Sequence, residues 1–451
     1  MTISPLRHIP ALTLAVMAVP VLAGGIGTAL PALRQGGAAL DSLFAWPGLP
    51  RAAALSLGSG LVSTALSLGL ALVIVAALSG TRAFGPIRHA LTPLLSVPHA
   101  AAALGLAFLI APSGWIARML SPWATGWTVP PDLLILNDSL GLSLTAGLVA
   151  KELPFLLLMT LAALPQVDPA RRLTTAATLG YGRIAGFALT VLPALYPLLR
   201  LPVYAVLAYA MTSVEMALIL GPTLPPTLSA QVTLWMSAAD LAQRDIAAAG
   251  ALVQMGLVAL ALALWRGLEA ALALALRAWS ASGHRATALD RPAHLLALTL
   301  ATAISGGLAL GLAGLALWSL AAEWRFPDAL PGRLGLATWQ ASLPDLTATA
   351  RQTLQIAVLA TLAALALSLA CLEAEARFHL RPTPLALHLL YLPLIMPQVA
   401  FLPGLQALSL ATGLDGTLAA VTLAHLVFVL PYVFLSLQGP FAAWNRQIGL
   451  A

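Results

Sequence analysis

Long runs of apolar residues alternate with short polar breaks along almost the whole of this sequence. A run of about 20 residues crosses a bilayer as a helix, because a rise of about 1.5 Å per residue carries it over a hydrocarbon core about 30 Å thick. The pattern predicts spans over residues 10–31, 52–79, 90–112, 141–164, 196–220 and 246–266. After an interruption come 294–321, 351–372, 384–410 and 417–437. Prolines punctuate these runs at Pro98, Pro154, Pro202, Pro397 and Pro431. In membrane helices such prolines bend the helix and are tolerated where neighbours satisfy the freed carbonyl groups. The fold class read from this pattern is all-α and polytopic, with ten spans.

Composition narrows the class further. The chain has 451 residues, of which 60% are hydrophobic and 8% charged, and its mean hydropathy is +0.92. These values exclude an ordinary soluble globule. The formal charge of +6 comes mostly from loop arginines and is no signature of nucleic-acid binding. One cysteine, Cys371, excludes a disulfide within the chain and a Cys-based metal site. The first 25 residues have the form of a secretory signal, with Arg7, an apolar run and then Val21-Leu22-Ala23-Gly24. Retained as a first span, the same segment puts the later loops on consistent sides. With the N-terminus inside, Arg82, Arg88, Arg171, Arg172, Arg183, Arg277, Arg285 and Arg291 fall in cytoplasmic segments, which hold most of the arginines. The positive-inside rule favours that orientation.

The chain also repeats itself in parallel. Leu68-Gly69-Leu70-Ala71 matches Leu367-Ser368-Leu369-Ala370 at an offset of 299 residues, and Pro98 with Pro397 and Gly105 with Gly404 share that offset. Leu153-Pro154-Phe155 matches Leu430-Pro431-Tyr432, and Asp138 matches Asp415, at an offset of 277. The difference is about the size of an extra external loop, rich in Trp and Pro, around Trp115 to Pro131. The expected organisation is a first half over 1–266 (core about 50–266), a cytoplasmic linker over 267–293 and a second half over 294–451. At the second offset Thr174 maps onto position 451, preceded by the polar Trp444-Asn445-Arg446-Gln447. The expectation is either that the protein continues or that its second half is naturally short; a complete repeat would have twelve spans.

The break from Pro165 to Pro193 stands out. Thr174, Thr175, Ala176 and Ala177 run into Gly180 and Gly182 and then an amphipathic stretch, which predicts helix, turn and short helix. This stretch resembles the cytoplasmic coupling loop of the type I permease subunits of ABC importers, whose pattern is Glu-Ala-Ala, three residues, Gly, nine residues, Ile-x-Leu-Pro. Thr174, Thr175 and Ala176 take the Glu-Ala-Ala positions. Gly180 falls on the glycine, Thr190 on the Ile, and Leu192-Pro193 on the Leu-Pro. The spacing is kept in full, while Thr174, Thr175 and Thr190 depart from the family's residues.

The resemblance extends over nearly the whole chain and is nearest to the fused double permeases of thiamine-type and ferric-iron-type importers. It implies a multi-pass protein of the inner membrane that works by alternating access. A cytoplasmic ABC ATPase dimer would dock on the loop and hold the ATP and Mg, so that this chain carries no cofactor. A solute-binding protein would deliver substrate to the opposite face.

Candidate chemistry on the chain itself is sparse. There is no Gly-x-x-x-x-Gly-Lys-Ser/Thr and the only lysine is Lys151, so nucleotide phosphates are not cradled here by a P-loop. The histidines show no metal-ligand spacing, and no Gly-x-Ser-x-Gly nucleophile motif occurs. Catalytic and metal sites are therefore not expected. Lys151, Glu152 and Glu215 lie within apolar spans, where charges are costly. One reading pairs Lys151 with a carboxylate and locks together the spans flanking the loop. The other puts Glu215 on the translocation path against a cationic substrate such as thiamine. The turn-rich segment Leu220 to Thr227 is an external loop, either plain or facing a delivery protein. A second function class is an ion-driven secondary transporter using Glu215, Lys151 and Glu152 as a relay. A membrane-embedded enzyme would need a convergent polar constellation that the sequence does not show.

Overall fold

The computed structural model describes residues 5–34, 37–381 and 383–443. The polar Trp444 to Gln447 segment lies outside the described residues. Helices α1 (Ile9–Arg34), α2 (Ala38–Phe44) and α3 (Leu49–Leu78) are followed by α4 (Phe84–Leu91), α5 (His99–Ile110) and α6 (Trp115–Leu120). Next come α7 (Leu142–Ala163), α8 (Pro169–Thr178), α9 (Arg183–Gly186), α10 (Leu192–Thr212), α11 (Val214–Leu220), α12 (Leu228–Met236) and α13 (Ala242–Ser282). Helix α14 (Asp290–Ser319) leads into a small hairpin of β1 (Ala321–Glu323) and β2 (Arg333–Leu334). The rest is α15 (Ala337–Arg377), α16 (Pro384–Ile395), α17 (Leu402–Ala411) and α18 (Leu418–Ala443).

Among the described residues, nine helical stretches are long and apolar enough to cross a membrane, one fewer than the ten spans expected. The difference is the run over 384–410, which is two short helices, α16 and α17. The cause is Pro397. A proline ring pushes the residue before it out of helical geometry, and Met396 is extended, with φ −72° and ψ 129°. Pro98 does the same to Val97, at φ −66° and ψ 128°, between α4 and α5. The offset of 299 thus maps one broken helix onto another.

The chain divides into two compact units that cross the two sequence halves rather than following them. One contains residues 1–46, 232–255 and 341–451; the other contains 47–231 and 256–340. In the first unit, α1 packs on α16, α17 and α18, and Met17 joins Leu372, Leu390, Leu430 and Phe434 in a buried cluster. Gly27 of α1 passes so close to α17 that a Cβ there would lie 3.0 Å from the Gly404 Cα. The Gly404 N–H donates to the Thr28 hydroxyl at 2.9 Å.

In the second unit, α14 packs on α5 and α3, and a Cβ on Gly105 would lie 3.1 Å from the Gly311 carbonyl carbon. Gly105 and Gly404 are the pair related by the offset of 299. Under the repeat read from the sequence, the opening helix of each half makes a small-residue crossing on a helix of the other half. In a bilayer, where lipid tails compete for apolar surface, such close backbone approach is a main source of helix–helix attraction.

Asp138 ties down the start of α7 in the second unit. Its carboxylate accepts from the Leu142 N–H at 2.8 Å and from the Ser143 N–H and hydroxyl, each at 2.9 Å. Partial burial works to raise its pKa, but these hydrogen bonds prevail together and hold it below the ordinary carboxylate value. The repeat moves this duty: at α18 the Thr417 hydroxyl, not Asp415, accepts from the Ala420 N–H at 3.2 Å. The Trp- and Pro-rich loop around Trp115 to Pro131 interlocks with the β1–β2 hairpin. Arg118 donates to the Arg325 carbonyl at 2.8 Å and lies 5.3 Å from the centre of the Trp324 ring, while the Trp115 indole donates to the Ala329 carbonyl at 2.9 Å.

Candidate functional site

The polar loop of the second unit has the predicted helix, turn and short helix. Asp168 initiates α8 in a left-handed conformation, φ 46°, and its side chain accepts from the Arg171 N–H. The chain then turns at Gly180, φ 82°, a conformation that glycine adopts without strain. After α9, residues Phe187–Val191 form a π-helical turn into α10, where Pro193 occupies the first turn. The wider π turn lies just where the proline removes a helical N–H donor.

Two faces of this loop differ sharply. Thr174 and Thr175 are exposed, each hydroxyl bonded back to its own helix at the carbonyls of Ala170 and Arg171. Leu179 is 58% exposed beside Gly180. Ala176 is buried and faces Gly186, where a Cβ would come within 2.9 Å of the alanine methyl. That contact closes α8 onto α9 and requires small residues on both sides. Leu192 is half-buried and Pro193 exposed. Arg172 fastens the inner edge, donating to the Val167 carbonyl at 2.7 Å and the Thr190 carbonyl at 3.1 Å.

The loop is also clamped by distant segments. The Asp290 carboxylate, at the start of α14, accepts from the Arg183 N–H at 2.8 Å and the Ile184 N–H at 2.9 Å. These are free N–H groups of the first turn of α9, and a carboxylate both bonds them and complements the positive end of the helix. Gly182 donates to the Arg285 carbonyl at 3.1 Å, and the Arg285 guanidinium sits 4.3 Å from the centre of the Tyr181 ring. The Arg183 side chain reaches the Ala76 and Ser79 carbonyls at the end of α3. Nothing in the loop's own sequence signals these partners, which lie about a hundred residues away.

Lys151 and Glu152 are both buried in α7, at 3% and 4% exposure. Among the described residues Lys151 makes no ion pair with a carboxylate, the partner that one of its two readings gave it. Lys151 donates instead to the Leu94 and Leu95 carbonyls, each at 2.9 Å, in the 3-10 turn that precedes Pro98. The break at Pro98 frees carbonyl groups, and the ammonium satisfies two acceptors there. Among the described residues neither Glu152 oxygen has a hydrogen-bond partner. Glu215 is exposed in the first turn of α11, just after a non-helical Ser213. The three residues are therefore not one cluster.

Lys151→Met should cost about 1–2 kcal/mol, because it removes a charged donor from the buried Leu94 carbonyl, which keeps only a long bond from the Val97 N–H, and from the carbonyl of the more exposed Leu95, whereas Glu152→Leu should be neutral or mildly stabilising. Thermal unfolding of the purified chain in detergent checks this. Equal costs for the two variants, with no further cost in the double variant, would restore the ion pair.

A polar cluster that the sequence reading passed over lies between α10 and α13. Glu269, only 10% exposed, accepts from Tyr196 at 2.8 Å and Tyr204 at 3.0 Å, and pairs with Arg200 at 3.2 Å and Arg266 at 3.0 Å. Trp265 donates to the Tyr196 hydroxyl at 2.9 Å. The expected span ended at Arg266, which made the next charges look like loop residues. In fact α13 continues to Ser282, and the leucines around Glu269 were the available signal.

Helices of this length and hydropathy, broken at prolines and polar loops, define a polytopic, nearly all-helical membrane protein. No family model matches the chain, and no solved structure matches it. The chain is similar to the inner membrane ABC transporter permease protein YnjC of Escherichia coli (strain K12). The two are 28% identical over 411 residues, which cover 90% of this chain and 70% of that protein.

Proposed function

We propose that this chain is the membrane-spanning permease of an inner-membrane ABC importer, in the fused double-permease form, with its N-terminus in the cytoplasm. The observation that carries the reading is the braced loop, whose outer face presents Thr174, Thr175, Leu179 and Gly180 while its inner face is held at Ala176, Arg172 and Arg183. A lever must be stiff to transmit motion, and this one is clamped to α3 and to the start of α14. Similarity to a permease over 90% of the chain supports the same reading.

In this mechanism a cytoplasmic ATPase dimer, which holds ATP and Mg, docks on the loop. Closure of the dimer displaces α8 and α9, and the displacement passes through Asp290 and Arg183 to α14 and α3. Helices broken at Pro98 and Pro397 rock about those breaks, and the path opens to the other side. A solute-binding protein delivers the substrate from the opposite face. A small cation such as thiamine fits a contact at the exposed Glu215.

Affinity purification of the tagged chain from native membranes tests the proposal, with wild type compared against Gly180→Trp. The substitution puts a bulky side chain on the outer face at a left-handed backbone position. A P-loop ATPase is expected to accompany wild type and to fall at least tenfold with the variant. If no ATPase accompanies wild type, and transport follows an ion gradient and is lost in Glu215 variants, the secondary-transporter reading replaces it.

A further inference from the structure

The last turns of α13 pose an electrostatic problem. Leu268, Leu272 and Leu274 are each half or more exposed there, a surface suited to lipid chains. Yet Arg266 and Glu269 sit among them, and Arg277 follows. One carboxylate, Glu269, serves two guanidiniums, those of Arg200 and Arg266, which are 41% and 56% exposed. This leaves one positive charge in excess. Arg277 adds a second, and among the described residues it has no hydrogen bond or ion pair. Exposed guanidiniums on an apolar surface are costly unless an anion meets them.

A groove of about 490 Å³ joins Arg200, Glu269 and Arg277. Leu68 and Leu72 of α3 form one wall, Pro193 and Arg200 of α10 another, and Leu272 and Arg277 of α13 the third. We propose that this groove binds an anionic phospholipid. Its phosphate meets Arg200 and Arg277, and an acyl chain runs along Leu68 and Leu72. Charge complementarity selects the headgroup, since the groove has a surplus of guanidinium and its one carboxylate already accepts three hydrogen bonds and pairs with Arg200. The leucine walls select a lipid over a free anion, because a soluble phosphate gains nothing from them. Basic pockets between membrane helices at the interface take anionic headgroups in this way. Because Leu192 and Pro193 belong both to the groove wall and to the loop, an occupied groove also braces the loop's exit helix.

The test requires no transport activity and so stands apart from the permease reading. The full chain is purified in mild detergent and stripped of lipid. It is then equilibrated with equal amounts of phosphatidylglycerol and phosphatidylcholine with matched chains, and retained lipid is counted by native mass spectrometry. Wild type is expected to retain phosphatidylglycerol at least fivefold over phosphatidylcholine. Arg277→Gln should reduce that retention about fivefold, the share of one arginine, with no change in the unfolding temperature of the stripped protein. Arg200→Gln should reduce it further, and Arg82→Gln, outside the groove, should leave it unchanged. Equal retention of the two lipids by wild type, no effect of Arg277→Gln, or displacement of the lipid by millimolar inorganic phosphate would overturn the proposal.

Discussion

Gly404→Leu is expected to unfold the first unit, at a cost of about 3 kcal/mol or more. A Cβ at this position would fall against the backbone of α1, 2.7 Å from the Gly27 carbonyl carbon. Backbone cannot rotate aside as a side chain can, so α1 and α17 must separate, and the Gly404-to-Thr28 hydrogen bond goes with them. Gly311→Leu should do the same in the second unit, where a Cβ would lie 2.6 Å from the Gly105 carbonyl oxygen. Gly69 and Gly256, which have open space at their Cβ positions, provide the controls. Gly69→Leu and Gly256→Leu should fall within about 1 kcal/mol of wild type and gain from better helix propensity. The yield of monodisperse protein and the unfolding midpoint in detergent read all four. If Gly404→Leu is as stable as Gly69→Leu, the crossing is not close-packed.

Asp290→Ala should release the loop without unfolding the spans. It deletes two charge-assisted hydrogen bonds to the first turn of α9, each worth about 1.5–3 kcal/mol in a shielded setting and less at this exposed position. Hydrogen exchange should therefore speed up by at least about tenfold at Arg183 and Ile184, with α7 and α10 unchanged. Asp290→Asn keeps an acceptor and loses the charge, so its effect should be intermediate. Under the permease reading, both variants still bind the ATPase and uncouple hydrolysis from transport, Ala more than Asn. Unchanged exchange at Arg183 in the Ala variant would mean that Arg285 and the Arg183 side chain hold the loop alone.

The spans were legible because a bilayer demands long apolar runs, and nothing else in a sequence looks like them. Pro98 and Pro397 were legible as bends, but only the backbone shows them as full breaks that divide a span. The loop from Pro165 to Pro193 could be read as helix, turn and helix from Gly180 and its flanking small residues. Its clamps could not, since Asp290 and Arg285 read as ordinary linker charges until the fold brings them to Gly182 and Arg183. The partners of Lys151 are hidden for a related reason. Sequence shows charged neighbours such as Glu152, but it does not show carbonyls freed elsewhere, and those at Leu94 and Leu95 are the groups that captured the ammonium. Glu269 is hidden because a charged residue such as Arg266 after an apolar run reads as a helix end, whereas α13 continues to Ser282. The exchange of opening helices was also hidden, because α1 and α14 are apolar on every side and their sequences name no partner.

That exchange sets a clock on synthesis. Thr28 and Gly404 are 376 residues apart, and a ribosome adds about 5–20 residues per second, so the first helix waits on the order of 20–75 s for its partner. During that interval its glycine face has only lipid or a biogenesis factor to cover it. The second opening helix, α14, emerges after α3 and α5 and meets them at once. Two helices with equivalent places in the fold therefore have unequal histories, and errors of assembly should concentrate on the earlier one.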